Sequence, residues 1–157
     1  MSVALRYPST RGNSPVATLS EAISAGLAPD GGLYVPDHLP TLHPNDFDPN
    51  GTLADTAATL LAPFFASDRL AGELPSLCAE ALTFATPLRA LQRHPKTYVL
   101  ELFHGPTAAF KDVGARFLAA CLRRLRDGAH RPLTILVATS GDTGAAGTLP
   151  VVLEHRV

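Results

Sequence analysis

The 157-residue chain is long enough for one sizeable core, and 46% hydrophobic with 17% charged residues is ordinary for an α/β protein. A net charge of −1, with basic residues scattered apart from Arg123, Arg124 and Arg126, excludes the electrostatic footprint of a nucleic-acid or membrane-surface binder. Cys78 and Cys121 are lone thiols and the six histidines lack ligand spacing, so neither a disulfide framework nor a metal site is indicated. Nothing near Met1 reads as a signal peptide and no apolar run approaches membrane-spanning length, so the expected location is cytoplasmic.

In chain order, Thr18-Leu19-Ser20-Glu21 is a capping box that predicts a short helix ending at Gly26, a residue suited to the left-handed stop position. Asp30-Gly31-Gly32 turns the chain, Leu33 to Val35 predicts a brief strand, and Pro36 to Pro49 is a proline-punctuated loop. Thr52-Leu53-Ala54-Asp55 repeats the start signal for a helix that Pro63 is expected to interrupt. A further helix is expected around Pro75 to Thr83, with the proline in its first turn. Thr86-Pro87 marks a boundary, and Leu88 to Leu91 and Thr97 to Phe103 read as strands.

The best-patterned helix follows Lys111: Phe110, Val113, Phe117, Leu118, Cys121, Leu122 and Leu125 recur at three- and four-residue steps and form one apolar stripe. Arg116, Arg123 and Arg126 fall away from it, and the trio Arg123, Arg124 and Arg126 is expected on the wet face, with the helix packed on a sheet. A second strand is predicted at Thr134 to Val137, before the loop Ala138 to Gly144 and another helix start. Two strand-loop-helix units in tandem form a βαβ crossover, which brings both loops to one carboxyl edge of a parallel sheet, where such sheets bind ligands.

Lys111 stands in the run His104-Gly105-Pro106-Thr107-Ala108-Ala109-Phe110-Lys111-Asp112, between a strand and this helix. A lysine attacks carbonyl carbon only as the free base, and partial desolvation or positive potential at a helix start serves that chemistry. Thr107 is a candidate cap, Phe110 sets an aromatic ring beside the amine, and Asp112 reads as a first-turn acid. His104 is expected to order the loop. Backbone N–H groups from Gly141 to Gly144, with the hydroxyls of Ser140 and Thr143, form an anion cradle at a helix start that suits a carboxylate.

With these motifs, Glu101 to Thr107 leading to Phe110-Lys111-Asp112, Ala138 to Gly144, and an N-terminal signature of Tyr7 to Gly12 joined by Ser20 to Pro36, the chain resembles the threonine synthase family from Met1 to about Gly144. The resemblance implies an α/β fold in which residues 1–85 form a small N-terminal helical domain of the threonine synthase type. Residues 86–157 then begin a pyridoxal-phosphate domain with βαβ units, incomplete at the C-terminus. It further implies pyridoxal 5'-phosphate as cofactor, bound by Lys111 with Phe110 beside it. Ser140, Gly141, Asp142 and Thr143 match the loop near the substrate carboxylate. The implied reaction is that of a carbon-oxygen lyase of threonine biosynthesis, converting O-phosphohomoserine and water to threonine and phosphate. Asp142 has two readings, since a carboxylate beside an anion site is repulsive unless it turns back to cap the helix.

The chain departs from the family at Gly147-Thr148-Leu149-Pro150-Val151, where an unbroken helix is expected, and it lacks the glycine-rich loop for the cofactor phosphate. A truncated portion that is inactive alone, a noncatalytic homologue, and another pyridoxal-phosphate lyase such as a serine/threonine dehydratase therefore remain alternative readings. Homo-oligomerisation or association through the exposed incomplete domain is the expected partner behaviour. A nucleotide-binding module fits less well, because Gly141, Gly144 and Gly147 lack the Gly-x-Gly-x-x-Gly spacing and no P-loop lysine follows.

Overall fold

The computed structural model describes residues 5–126 together with Gly141, Thr143, Gly144 and Ala146. The order of elements is α1 (Leu19–Ala25), α2 (Leu53–Phe65), α3 (Leu74–Ala81), β1 (Leu88–Ala90), β2 (Tyr98–Leu100) and α4 (Asp112–Leu125), a mixed arrangement of helices and one small sheet.

Both predicted capping boxes form. Thr18 and Thr52 each accept a hydrogen bond from the backbone N–H three residues on, while Glu21 and Asp55 reach back to the cap residue's own N–H. Two of the donors that a helix start leaves open are thereby satisfied at each end. Gly26 stops α1 at φ 71°, a conformation open to glycine and strained for other residues.

Pro63 does not interrupt α2, which continues through it to Phe65. The proline forfeits one hydrogen bond near the helix end, and burial of Phe65 (3% exposed), edge-on to Phe117 at 6.1 Å, outweighs that loss. Tyr7 Oη also donates to the carbonyl of Phe64, one of the C-terminal acceptors left without a helical partner. After the helix, the Asp68 carboxylate accepts from the N–H and hydroxyl of Ser20, tying this bend to the first turn of α1.

The core sits among the helices. Phe65, Leu70, Leu74, Leu77, Cys78, Ala120 and Cys121 form one buried cluster, against which Leu19, Ile23, Phe117 and Leu125 pack. Helix α3 packs on both α2 and α4, and α1 also packs on α4; the strand expected after α4, and any packing on it, lies outside the described residues. Cys121 is buried as the stripe predicts, with Ala120 buried beside it, but Phe110 and Leu118 of that stripe are exposed.

Arginines expected on the wet face instead clamp α3 to α4. Arg116 donates to the carbonyls of Ala81 and Glu80 at the end of α3, and Arg123 and Arg124 both pair with the Glu80 carboxylate. Arg116 thus fills acceptors that the last turn of α3 leaves open.

The predicted strand at Leu33–Val35 reduces to a single bridge between Tyr34 and Ser9. Strands β1 and β2 are shorter than expected and pair antiparallel, with Leu88 opposite Leu100 and Ala90 opposite Tyr98. The strand expected at Thr134 to Val137 lies outside the described residues.

Candidate active site around Lys111

From β2 the chain runs through Glu101 to His104 into a tight loop. The Glu101 carboxylate lies 2.7 Å from His104 Nε2 and 3.9 Å from Arg89 Nε, and the His104 ring lies 4.7 Å from that of Phe103. His104 is in this way part of the support for the loop entry, as expected. The N–H of Ala108 then donates to the Gly105 carbonyl at 3.0 Å, closing a turn in which Ala108 takes φ 55°.

Asp112 closes the loop. Its Oδ2 accepts the Thr107 N–H at 2.9 Å, and its Oδ1 accepts the Thr107 hydroxyl at 2.8 Å. The side chain is 1% exposed, so the first-turn acid expected at this position is in addition a buried clasp. Thr107 does not cap α4; it serves the carboxylate, and Lys111 itself stands at the cap position with helical backbone angles and no side-chain cap bond. Gly105 is required by close approach, since a Cβ there would lie 2.4 Å from Asp112 Oδ2 and 2.8 Å from Asp112 Cβ.

Lys111 is thereby held at the mouth of α4. Its Nζ donates to Thr143 Oγ1 at 2.7 Å and lies 5.9 Å from the centroid of the Phe110 ring, which is 61% exposed. The structure therefore unites Lys111, Phe110 and Thr143, drawn from two motifs thirty-two positions apart. Thr143 and Gly144 are helical, in keeping with a helix start after the glycine loop, and Gly141 is exposed. Ser140 and Asp142 lie outside the described residues. Among the described residues no group of three or more His, Cys, Asp or Glu side chains could hold a metal ion, and no helix is long and apolar enough to cross a membrane.

The N-terminal signature is used differently. Asp30 accepts the Ser9 hydroxyl at 2.7 Å and the N–H groups of Gly32 and Asn13, while its carbonyl accepts Arg11 Nη1. The Ser9 hydroxyl, foremost among these donors, holds the Asp30 carboxyl below the usual carboxylate range. A Cβ on Gly32 would lie 2.1 Å from Ser9 Oγ. Tyr7 to Gly12 and Asp30 to Gly32 thus fold upon one another, and their pattern reports a structural knot.

Sequence reading missed the burial of Asp112, its bonds to Thr107 and the steric demand on Gly105. The available signal was Gly-Pro-Thr with an acid five positions after the threonine.

The geometry places a primary amine at a helix start, with an aromatic ring on one side and a hydroxyl at its nitrogen. Residues 6–82 match the family model described as threonine synthase N terminus. Threonine synthase from Haemophilus influenzae is 40% identical over 130 residues, which cover 82% of this chain and 29% of that protein. The Pseudomonas aeruginosa enzyme is 38% identical over 149 residues, 90% of this chain and 31% of that protein. The crystal structure of pyridoxal-phosphate-bound threonine synthase from Brucella melitensis superposes with a TM-score of 0.79 at 38% identity, covering 92% of this chain and 32% of that one. The chain belongs to the threonine synthase family and corresponds to its amino-terminal portion.

Proposed function

We propose that this chain carries the lysine-bearing part of a threonine synthase, the enzyme fold that turns O-phosphohomoserine and water into threonine and phosphate. The observation that carries this reading is the Lys111 Nζ, held from below by a helix start and met at its tip by Thr143 Oγ1 at 2.7 Å. The Brucella melitensis structure is of the pyridoxal-phosphate-bound enzyme, and the residues present in this chain fit that cofactor's chemistry. A partly exposed primary amine can bond an aldehyde carbon, and the neighbouring Phe110 ring offers a flat apolar face. Pyridoxal phosphate, when bound, supplies an electron sink that makes loss of a proton beside an amine-bearing carbon tolerable.

The chain's own residues contribute holding and proton movement. Lys111 Nζ would hold the cofactor's aldehyde carbon and, as a free amine, would carry protons from the substrate's Cα and Cβ. Thr143 Oγ1 accepts one N–H of that amine and so orients it. By the family resemblance, Ser140, Gly141, Asp142 and Thr143 would supply hydroxyl and N–H groups for the substrate carboxylate. A cytoplasmic setting follows from the biosynthetic role. Turnover belongs to the whole threonine synthase fold, of which this chain spans 29 to 32% of the relatives named above.

The test is reductive trapping. The chain is incubated with pyridoxal phosphate, treated with borohydride and mapped by peptide mass; the label should fall on Lys111 and vanish in Lys111→Ala. The chain has two lysines, Lys96 and Lys111, so Lys96 is the internal lysine competitor. Label divided equally between them would defeat the reading. Substrate choice is read separately, as phosphate released from O-phosphohomoserine against keto acid released from serine.

A further inference from the structure

We propose that Asp112 and Thr107 are positioning residues for Lys111: their two-bond clasp sets the direction in which the amine leaves the helix start. The inference rests on the reading of Lys111 as the reactive amine. It starts from a buried acid for which the proposed chemistry has no use. Asp112 is 1% exposed, and both its oxygens are taken by a single residue, Thr107, through the backbone N–H and the hydroxyl.

Closing residues 107 to 112 in this way leaves the backbone little freedom. Ala108 is held at φ 55°, a left-handed conformation that alanine avoids when unconstrained, and the N–H of Asp112 is committed to the Ala109 carbonyl. Lys111 is the residue immediately before the clasping acid, and its carbonyl accepts the N–H of Ala115, in the first turn of α4. Its Cα is therefore fixed from the loop side by the clasp and from the helix side by α4. Gly105 packs against the same carboxylate, so the clasp is closed on its outer side by a residue that tolerates no Cβ.

A flexible four-carbon side chain gains a preferred direction only if its root is fixed, and misplacement by about 1 Å can cost on the order of a hundredfold in rate. The clasp fixes the root, and the bond from Nζ to Thr143 Oγ1 selects the tip.

The experiment measures the reactivity of Lys111 relative to exposed Lys96 in the same folded chain, by two reagents. One is pyridoxal phosphate with borohydride trapping; the other is trace acetic anhydride, which acetylates amines without any cofactor. For Thr107→Val, which removes the hydroxyl at nearly constant volume, the Lys111 to Lys96 labelling ratio with pyridoxal phosphate should fall on the order of tenfold. The acetylation ratio should change with it, and Thr107→Ser should return both toward the parent values. Gly105→Ala, which displaces the carboxylate from the other side, should reproduce the loss.

Urea unfolding of each variant identifies those that remain folded. If Thr107→Val fails to fold, Thr107→Ala, which places no extra carbon against the carboxylate, replaces it with the same expected outcomes. A folded variant that keeps the parent ratios with both reagents overturns the clasp. If pyridoxal phosphate shows no preference for Lys111 in the parent while acetylation still responds to Thr107, the cofactor reading fails and the clasp stands.

Discussion

Two carboxylates organise the two motif-rich regions of this chain, and they use the same device to different ends. Asp30 and Asp112 each accept one hydroxyl and at least one backbone N–H, and each lies beside a glycine where a Cβ would collide, Gly32 in one case and Gly105 in the other. Around Asp30 the donors are spread over Ser9, Asn13 and Gly32, so losing one leaves the others. Around Asp112 both donors belong to Thr107, the carboxylate is buried, and the next residue toward the N-terminus is Lys111, whose amine is the proposed nucleophile. A shared knot tolerates damage; an exclusive one transmits it.

The largest effect expected from this contrast is on stability. Asp112→Ala should lower the unfolding free energy by about 3 kcal/mol, because a buried N–H loses its acceptor and the carboxylate leaves a gap. Asp30→Ala should cost clearly less, since Asp30 is only half-buried and its donors are spread over three residues, of which Asn13 is exposed. Urea unfolding midpoints of the two variants decide the matter, and equal shifts would remove the distinction between the knots.

A second effect concerns the core on which α4, and so the clasp, is mounted. Burial pushes the Cys121 thiol up to about 11, with the neighbouring Cys78 adding to the shift. An acid whose folded value is raised is neutral in the fold but ionises in the unfolded chain once the pH passes its ordinary value near 9. Its stabilisation is therefore complete below pH 9 and is lost as the pH climbs to about 11, at roughly 1.4 kcal/mol per pH unit, for a total on the order of 2 kcal/mol. Tyr7, raised chiefly by burial, adds a loss of the same sign at higher pH. Cys121→Ala should flatten the part of the urea-midpoint profile between pH 9 and 11, and an unchanged slope would show that the thiol is not what titrates there.

The elements that could be read from the sequence are those whose cause is local. Thr18 with Glu21 and Thr52 with Asp55 sit three positions apart, so the chain carries the whole argument for those helix starts within one turn. The setting of Lys111 between a turn and a helix is local in the same way. Pro63 misled because its cost is local, whereas the compensating burial of Phe65 depends on Phe117, far along the chain. The arginines misled likewise: Arg116 meets Ala81 across 35 positions and Arg124 meets Glu80 across 44, and no periodicity distinguishes a solvated arginine from one that clamps a neighbouring helix. The Asp30 knot spans 21 positions to Ser9, which is why its signature could be recognised but its cause could not be derived from pattern. The clasp is the exception, since its five-residue span is local. It escaped because an acid in the first turn of a helix already has a sufficient explanation at the surface, and only burial shows that this one faces inward.

The smallest expected effect tests whether the clasp forces the backbone or merely accompanies it. Ala108 at φ 55° costs about 1 kcal/mol relative to a right-handed conformation, a strain that glycine does not bear. Glycine also loses more freedom on folding, by roughly 0.5 kcal/mol or somewhat more, so Ala108→Gly should stabilise the parent chain by only about 0.5 kcal/mol. The informative quantity is how that gain responds to the clasp. With Thr107→Val the loop is free to relax, Ala108 can leave the left-handed region, and the glycine substitution should then become destabilising by a similar amount through its entropy alone. A double-mutant cycle on urea midpoints reads this reversal as a coupling of about 1 kcal/mol. Additive effects would mean that the left-handed alanine is set by the Gly105 to Ala108 turn itself, and that Asp112 holds a loop already shaped without it.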